Sequence, residues 1–206
     1  MALKITPKSI FAGVVFLVLT GCGSDQPNLS ALTTDATILA FGDSLTKGTG
    51  AASDQSYPAI LSRLSGITVV NAGMPGELSS DGLQRLPNVL QTTQPQLMIL
   101  CHGGNDMLRK KDLQAAARNI ESMIALAQAQ NVEVLLIGVP RPGLFLGTAD
   151  MYLAIAAHSG IPAENDVLSD IISDPSLKSD PIHPNGKGYQ RMAEAVLSLL
   201  QDTGAL

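Results

Sequence analysis

The stretch Ile38-Leu39-Ala40-Phe41-Gly42-Asp43-Ser44-Leu45-Thr46-Lys47-Gly48 begins as a strand and ends as a turn. Its first four residues are an unbroken apolar run, the pattern of a strand buried on both faces, and the run stops at a glycine, where the backbone turns tightly. Ser44 then stands at the carboxyl end of that strand. In parallel α/β sheets this is the edge where ligands bind, because the connections leaving the strands open a crevice there. A strand ending in a polar turn that caps a helix also accounts for Gly42-Asp43-Ser44 without any chemistry, so the motif needs support from the rest of the chain.

Downstream, Tyr57 to Leu64 has proline near its start and apolar residues at helical spacing, with Gly66 beyond it, and predicts a helix. Thr68 to Asn71 is a short β-branched strand. Ser79 to Leu90 reads as a helix broken by Gly82 and Pro87. Leu97 to Cys101 is a continuous apolar run and hence a central strand. From Asp112 the set Leu113, Ala116, Ile120, Met123, Ile124 and Ala127 keeps the helical period, and Val132 to Gly138 is the next buried strand. Pro140, Pro142 and Gly143 mark a loop. Ala149 to His158 predicts a helix, Ile161-Pro162 an edge strand, and Asp166 to Ile172 a short helix. The last amphipathic helix runs from Tyr189 to Leu200. Strands alternating with helices give a parallel sheet covered on both faces, a three-layer α/β/α sandwich.

In such a sheet the segments leaving the first three strands emerge on one edge. They carry Ser44, then Gly73-Met74-Pro75-Gly76, then Gly103-Gly104-Asn105-Asp106. The backbone N–H groups of Ser44 and Gly76 and the side-chain amide of Asn105 are a possible set of donors for the oxyanion that forms on an acyl carbonyl under attack. A nucleophilic serine needs a base, and the base needs a group that fixes its tautomer. Asp180-Pro181-Ile182-His183-Pro184 supplies both in one proline-braced turn. Asp43 and Asp106 read as braces of their own turns. His102 is either a polar neighbour of a pocket or a structural histidine bonded to backbone, His158 suits a helix end, and Cys101 is a buried, inert thiol.

Gly42-Asp43-Ser44-Leu45, Asn71-Ala72-Gly73-Met74-Pro75-Gly76, Gly103-Gly104-Asn105-Asp106 and Asp180-Pro181-Ile182-His183-Pro184 resemble the four ordered motif blocks of the GDSL/SGNH hydrolases, and most of all the bacterial thioesterase I, lysophospholipase and arylesterase branch. The resemblance runs from about Thr37 to the last helix. It implies a flavodoxin-like fold, Ser44 as nucleophile, His183 as base, Asp180 as its partner, and Ser44, Gly76 and Asn105 as oxyanion donors. It also implies cleavage of esters or thioesters of acyl chains with no cofactor. The segment from Gly143 to Asp180 is short for that branch, which predicts an abbreviated acyl-chain wall and a preference for short or medium chains. Two other readings stay open: an O-acetyl esterase acting on cell-envelope carbohydrate, and a non-catalytic lipid-binding lipoprotein.

The chain opens with Lys4, Lys8 and an apolar run from Ile10 to Leu19, followed by Leu19-Thr20-Gly21-Cys22. A basic region, a short apolar region and small residues describe a secretory signal. Leu19-Thr20-Gly21-Cys22 resembles a bacterial lipobox, which implies lipid on Cys22, removal of residues 1–21 and a membrane anchor that does not span the bilayer. The expected place is the periplasmic side of the cell envelope, with Gly23 after the cysteine implying the outer membrane where one exists. Residues 22–36 turn polar and read as a tether, and residues 37–206 as the hydrolase domain. Without residues 1–21 the balance is 11 basic against 18 acidic residues, and the chain has three Tyr and no Trp. That surface excludes a basic nucleic-acid footprint. Three His and two Cys, none at ligand spacing, predict no metal site.

Overall fold

Strand β1 (Thr37–Gly42) has neighbours on both sides, β2 (Thr68–Gly73) and β3 (Leu97–Cys101). Beyond β3 lie β4 (Glu133–Ile137) and the two-residue β5 (Ala163–Glu164), all parallel, in the order β2-β1-β3-β4-β5. The structure, a computed structural model, describes Met1, residues 26–143 and residues 147–206. Ile38 to Phe41 and Leu97 to Cys101 are wholly buried, as unbroken apolar runs demand of central parallel strands. The edge strand begins just after Pro162, which joins the ladder only through its carbonyl, accepting from the Leu136 N–H at 3.0 Å.

The helices divide between two faces of the sheet, as the right-handed rule for parallel crossovers requires. Helices α2 (Tyr57–Ser65), α7 (Val167–Ser173) and α8 (Gly186–Asp202) form one layer, while α3 (Ser79–Thr93), α5 (Leu113–Gln128) and α6 (Asp150–Ser159) form the other. Two short helices, α1 (Ser44–Lys47) and α4 (Gly104–Leu108), leave the carboxyl ends of β1 and β3. The expected three-layer sandwich is therefore present, and its strand order is the flavodoxin-like one. That order reverses between β1 and β3, and a ligand crevice belongs at such a reversal.

Two expectations change. Helix α3 is continuous for 15 residues, with Pro87 inside it. Pro87 is exposed, so the hydrogen bond its missing N–H forfeits lies on the solvent side, and Gly82 is buried against the His102 ring. The described part of the expected tether, residues 26–36, is docked and not free. Its Leu29 and Leu32 N–H groups donate to the Thr203 and Ala205 carbonyls, and Ser30 donates to the Glu133 carboxylate at 2.8 and 2.9 Å. Gln26 accepts from the Ala163 N–H at 3.0 Å. The segment thus crosses the amino edge of the sheet, opposite Ser44. Cys22 and the expected signal region lie outside the described residues.

Candidate active site

Asp43 directly follows β1 and caps α1: its Oδ1 accepts from the Leu45 N–H at 3.0 Å, which turns the chain sharply and presents Ser44 at the sheet edge. Facing it is the turn before α8. Asp180 Oδ1 accepts from the Ile182 and His183 N–H groups, both at 2.9 Å, so the carboxylate folds its own turn. Ser179 donates its N–H to the His183 carbonyl, and Asn185 caps α8 while its amide holds the Ser176 and Lys178 carbonyls. Stapled on both sides, His183 has little freedom left.

The free Oδ2 of Asp180 is 2.7 Å from His183 Nδ1, and His183 Nε2 is 3.0 Å from Ser44 Oγ. A carboxylate only accepts, so Nδ1 carries the hydrogen and Nε2 offers its lone pair to the serine hydroxyl. Slight burial pushes the Asp180 carboxyl up. The Ile182 N–H, the His183 ring and the His183 N–H outweigh it and hold the group below the usual range.

The second loop is a type II turn, Met74-Pro75-Gly76-Glu77, with Glu77 N–H bonded to the Met74 carbonyl at 3.2 Å and Gly76 at φ +77°. Proline sets the first central residue of such a turn, and the positive φ of the second requires glycine. Arg109 holds the Gly76 carbonyl at 2.9 Å. Neither the Ser44 N–H nor the Gly76 N–H donates to any group among the described residues. Asn105 is more occupied. Its amide donates to Asp43 Oδ2 and to the Glu77 carbonyl, each at 3.1 Å, so it ties the first three loops together.

Ser44, Asn105 and His183 line one cavity of about 350 Å³, whose wall includes Leu108, Val139, Leu168 and Ile172. Gly76 is not in that wall; the residue after it, Glu77, is tied to the wall through the Asn105 amide that its carbonyl accepts. Helix α7 supplies part of the apolar wall through Leu168 and Ile172. Burial pushes the Asp43 carboxyl up against the pull of the Leu45 N–H, and pushes the Cys101 thiol up.

Residues 40–191 match the GDSL-like Lipase/Acylhydrolase family. The chain belongs to this family. Among its relatives, esterase TesA of Pseudomonas aeruginosa is 31% identical over 199 residues, covering 90% of this chain and 97% of that protein. Thioesterase 1/protease 1/lysophospholipase L1 of Escherichia coli (strain K12) is 29% identical over 173 residues, covering 80% of this chain and 83% of that one. The crystal structure of TesA superposes with a TM-score of 0.74 at 31% identity, covering 81% of this chain and 99% of that one. The chain is thus a carboxylic ester hydrolase of the GDSL type.

Of the other residues read from the sequence of this GDSL hydrolase, Asp106 departs from its reading, while His102 and His158 keep theirs. Asp106 braces not its own turn but the start of α3, accepting from the Ser79 N–H and Oγ at 2.9 Å. His102 is wholly buried; its Nδ1 accepts from the Gly103 N–H at 3.0 Å and its Nε2 lies 3.1 Å from Glu77 Oε2. His158 is exposed in the last turn of α6. Glu77 and Arg85 went unnoticed in the sequence. The one signal for Arg85 was its place three residues after Gly82, on the same face of a helix that looked interrupted.

Proposed function

We propose that this hydrolase cleaves esters or thioesters of short to medium acyl chains, with Ser44 as nucleophile, His183 as base and Asp180 as the group that orients it. The observation that carries this reading is the unbroken line Asp180 Oδ2, His183 Nδ1, His183 Nε2, Ser44 Oγ at 2.7 and 3.0 Å, opening on an apolar cavity. As Ser44 Oγ attacks the acyl carbonyl, His183 Nε2 takes its proton, and Asp180 stabilises the imidazolium that results. The Ser44 and Gly76 N–H groups and the Asn105 amide receive the charge on the carbonyl oxygen. His183 returns the proton to the departing alcohol or thiol, and water repeats the sequence on the acyl-enzyme. A cavity of about 350 Å³ is small for a ligand site, where roughly 300–1,000 Å³ is usual, and favours a modest acyl chain. Its apolar wall also speaks for an acyl chain over an acetylated sugar.

We also propose that lipid on Cys22 anchors the chain in the cell envelope. With residues 26–36 laid along the amino edge of the sheet, that anchor belongs to the side of the domain opposite Ser44.

Labelling by a fluorophosphonate, which needs an activated hydroxyl and not merely an exposed one, tests the chemistry. The full-length chain is expected to label, Ser44→Ala not at all, and His183→Ala only weakly. On acetyl, octanoyl and palmitoyl esters, octanoyl is expected to be turned over well and palmitoyl poorly. A folded wild-type chain that neither labels nor hydrolyses any of them would leave a binding protein.

A further inference from the structure

Three groups that the proposed reaction does not use meet behind the second loop. Arg85 grips the Glu77 carboxylate with two bonds of 2.7 Å, through Nε to Oε1 and Nη2 to Oε2, and His102 Nε2 lies 3.1 Å from the same Oε2. The side chain of Glu77 is 6% exposed and that of Arg85 23% exposed, whereas both members of each other arginine–carboxylate pair among the described residues are more than half exposed. Taking two charges out of water costs several kcal/mol per ion, and apolar packing usually holds a fold equally well. Stability alone is a poor reason for such a cluster at this place.

Its position suggests the reason. Glu77 directly follows Gly76, and its backbone carbonyl accepts the Asn105 amide at 3.1 Å. One residue therefore joins the turn that presents the Gly76 N–H, the side chain of Asn105, and an anchor in the protein interior. The anchor is itself fixed. Arg85 Nη2 also donates to the Ala72 carbonyl at 3.1 Å, and the guanidinium lies 4.3 Å from the centre of the Phe41 ring. His102 accepts the Gly103 N–H on Nδ1, which leaves the hydrogen on Nε2, directed at Glu77. Its carbonyl is held by the Tyr152 hydroxyl at 2.8 Å.

We propose that His102 and Arg85 are positioning residues for the oxyanion donors Gly76 and Asn105, acting through Glu77. The inference rests on the proposed oxyanion role of those donors. An active-site group misplaced by about 1 Å costs on the order of 10²-fold in rate, so loosening this clamp acts on the reaction without touching substrate.

The test uses the full-length chain with an octanoyl ester, well below the melting temperature, and an alkyl boronic acid whose tetrahedral adduct on serine puts a negative oxygen among the donors. His102→Leu removes both ring contacts and is expected to lower kcat about 10- to 100-fold, leave KM within about threefold, and weaken boronate inhibition in parallel with kcat. His102→Gln presents one acceptor to the Gly103 N–H and one N–H to Glu77, and is expected to recover most of the loss. Arg85→Lys keeps the charge but not the two-pronged grip, and supplies a milder variant if His102→Leu does not fold. A lowered melting temperature with wild-type kcat and wild-type boronate affinity per folded molecule would overturn the proposal. So would equal losses in the leucine and glutamine variants. Failure of wild-type Ser44 to label with fluorophosphonate would instead reject the underlying reading of the site, a result these variants cannot mimic.

Discussion

Gly82 of α3 lies so close to His102 that an added methyl group would overlap Nε2 of the ring, with Cδ2 at 3.0 Å and Cε1 at 3.2 Å. The ring cannot yield, because Glu77 and Gly103 hold both of its nitrogens. In an exposed helix, alanine for glycine would add roughly 1 kcal/mol of stability. Overpacking costs about 1–3 kcal/mol, so Gly82→Ala is expected to be destabilised by up to about 2 kcal/mol net. Urea unfolding reads this as a lower midpoint at unchanged slope. A midpoint at or above wild type would mean that α3 shifts freely off His102.

Asp180 folds its own turn and has a proposed catalytic task, and asparagine separates the two. Its Oδ1 folds the turn by accepting two N–H groups, which an asparagine carbonyl does as well. Its Oδ2 faces His183 Nδ1, where an NH₂ group would demand a lone pair and drive the hydrogen to Nε2, toward Ser44. Asp180→Asn is therefore expected to keep its melting temperature and lose about 10²–10⁴ in kcat. A loss of less than tenfold would reduce Asp180 to a turn former.

What the sequence discloses here follows from how local each feature is. Ile38 to Phe41 and Leu97 to Cys101 are legible as strands because parallel strands buried on both faces leave uninterrupted apolar runs. Asp180 and His183 are legible because three residues and two prolines confine their geometry. Helix α3 misleads because local propensity counts Gly82 and Pro87 as breaks, whereas packing against His102 requires the first and exposure makes the second tolerable. The cluster of Glu77, Arg85 and His102 is assembled from three segments. Which of many charged residues are paired and buried is settled by packing, not by spacing. Residues 26–36 look like a tether because their bonds are made by backbone groups and short polar side chains, which leave no periodic trace.

The Glu77 carboxyl is also expected to contribute to stability that is lost in acid. Burial pushes it up, but hydrogen bonds and charge from Arg85 and His102 outweigh burial and hold it at about 2. A glutamate in the unfolded chain titrates near 4.3, so as pH falls below that value the unfolded chain takes up a proton that the folded one refuses. The contribution is fully present above pH ~4.3 and lost as pH falls toward about 2. Glu77→Gln cannot show this. The stability gap between wild type and the variant is expected to narrow from pH 6 to pH 3, by at most roughly 2 kcal/mol. Urea unfolding at pH 6, 4 and 3 measures it, and a gap independent of pH would deny the carboxylate this role.

Cys22→Ser tests the proposed anchor. The full-length wild-type chain is expected in the membrane fraction and the variant in the soluble one, with equal specific activity on a soluble ester. Equal activity is expected because residues 26–36 lie at the opposite sheet edge from Ser44. Finding the wild-type chain unacylated and soluble would remove the anchor.

Asn105 is where bracing and the proposed chemistry compete for the same hydrogens. Its amide already donates to Asp43 Oδ2 and to the Glu77 carbonyl, so an oxyanion must share one of those hydrogens or draw it away. The developing charge on the carbonyl oxygen favours that exchange only as the transition state is approached, which would confine the effect to kcat. Asn105→Ala also strands the buried Asp43 oxygen, at a cost of about 1–3 kcal/mol of stability. The variant is thus expected to melt lower than wild type and also to lose about 10²–10³ in kcat per folded molecule, with KM within about threefold. Thermal unfolding and kcat measured on one preparation, well below the transition, separate the two. A lowered melting temperature with near wild-type kcat would leave Asn105 as a brace alone, and Ser44 and Gly76 as the remaining donors.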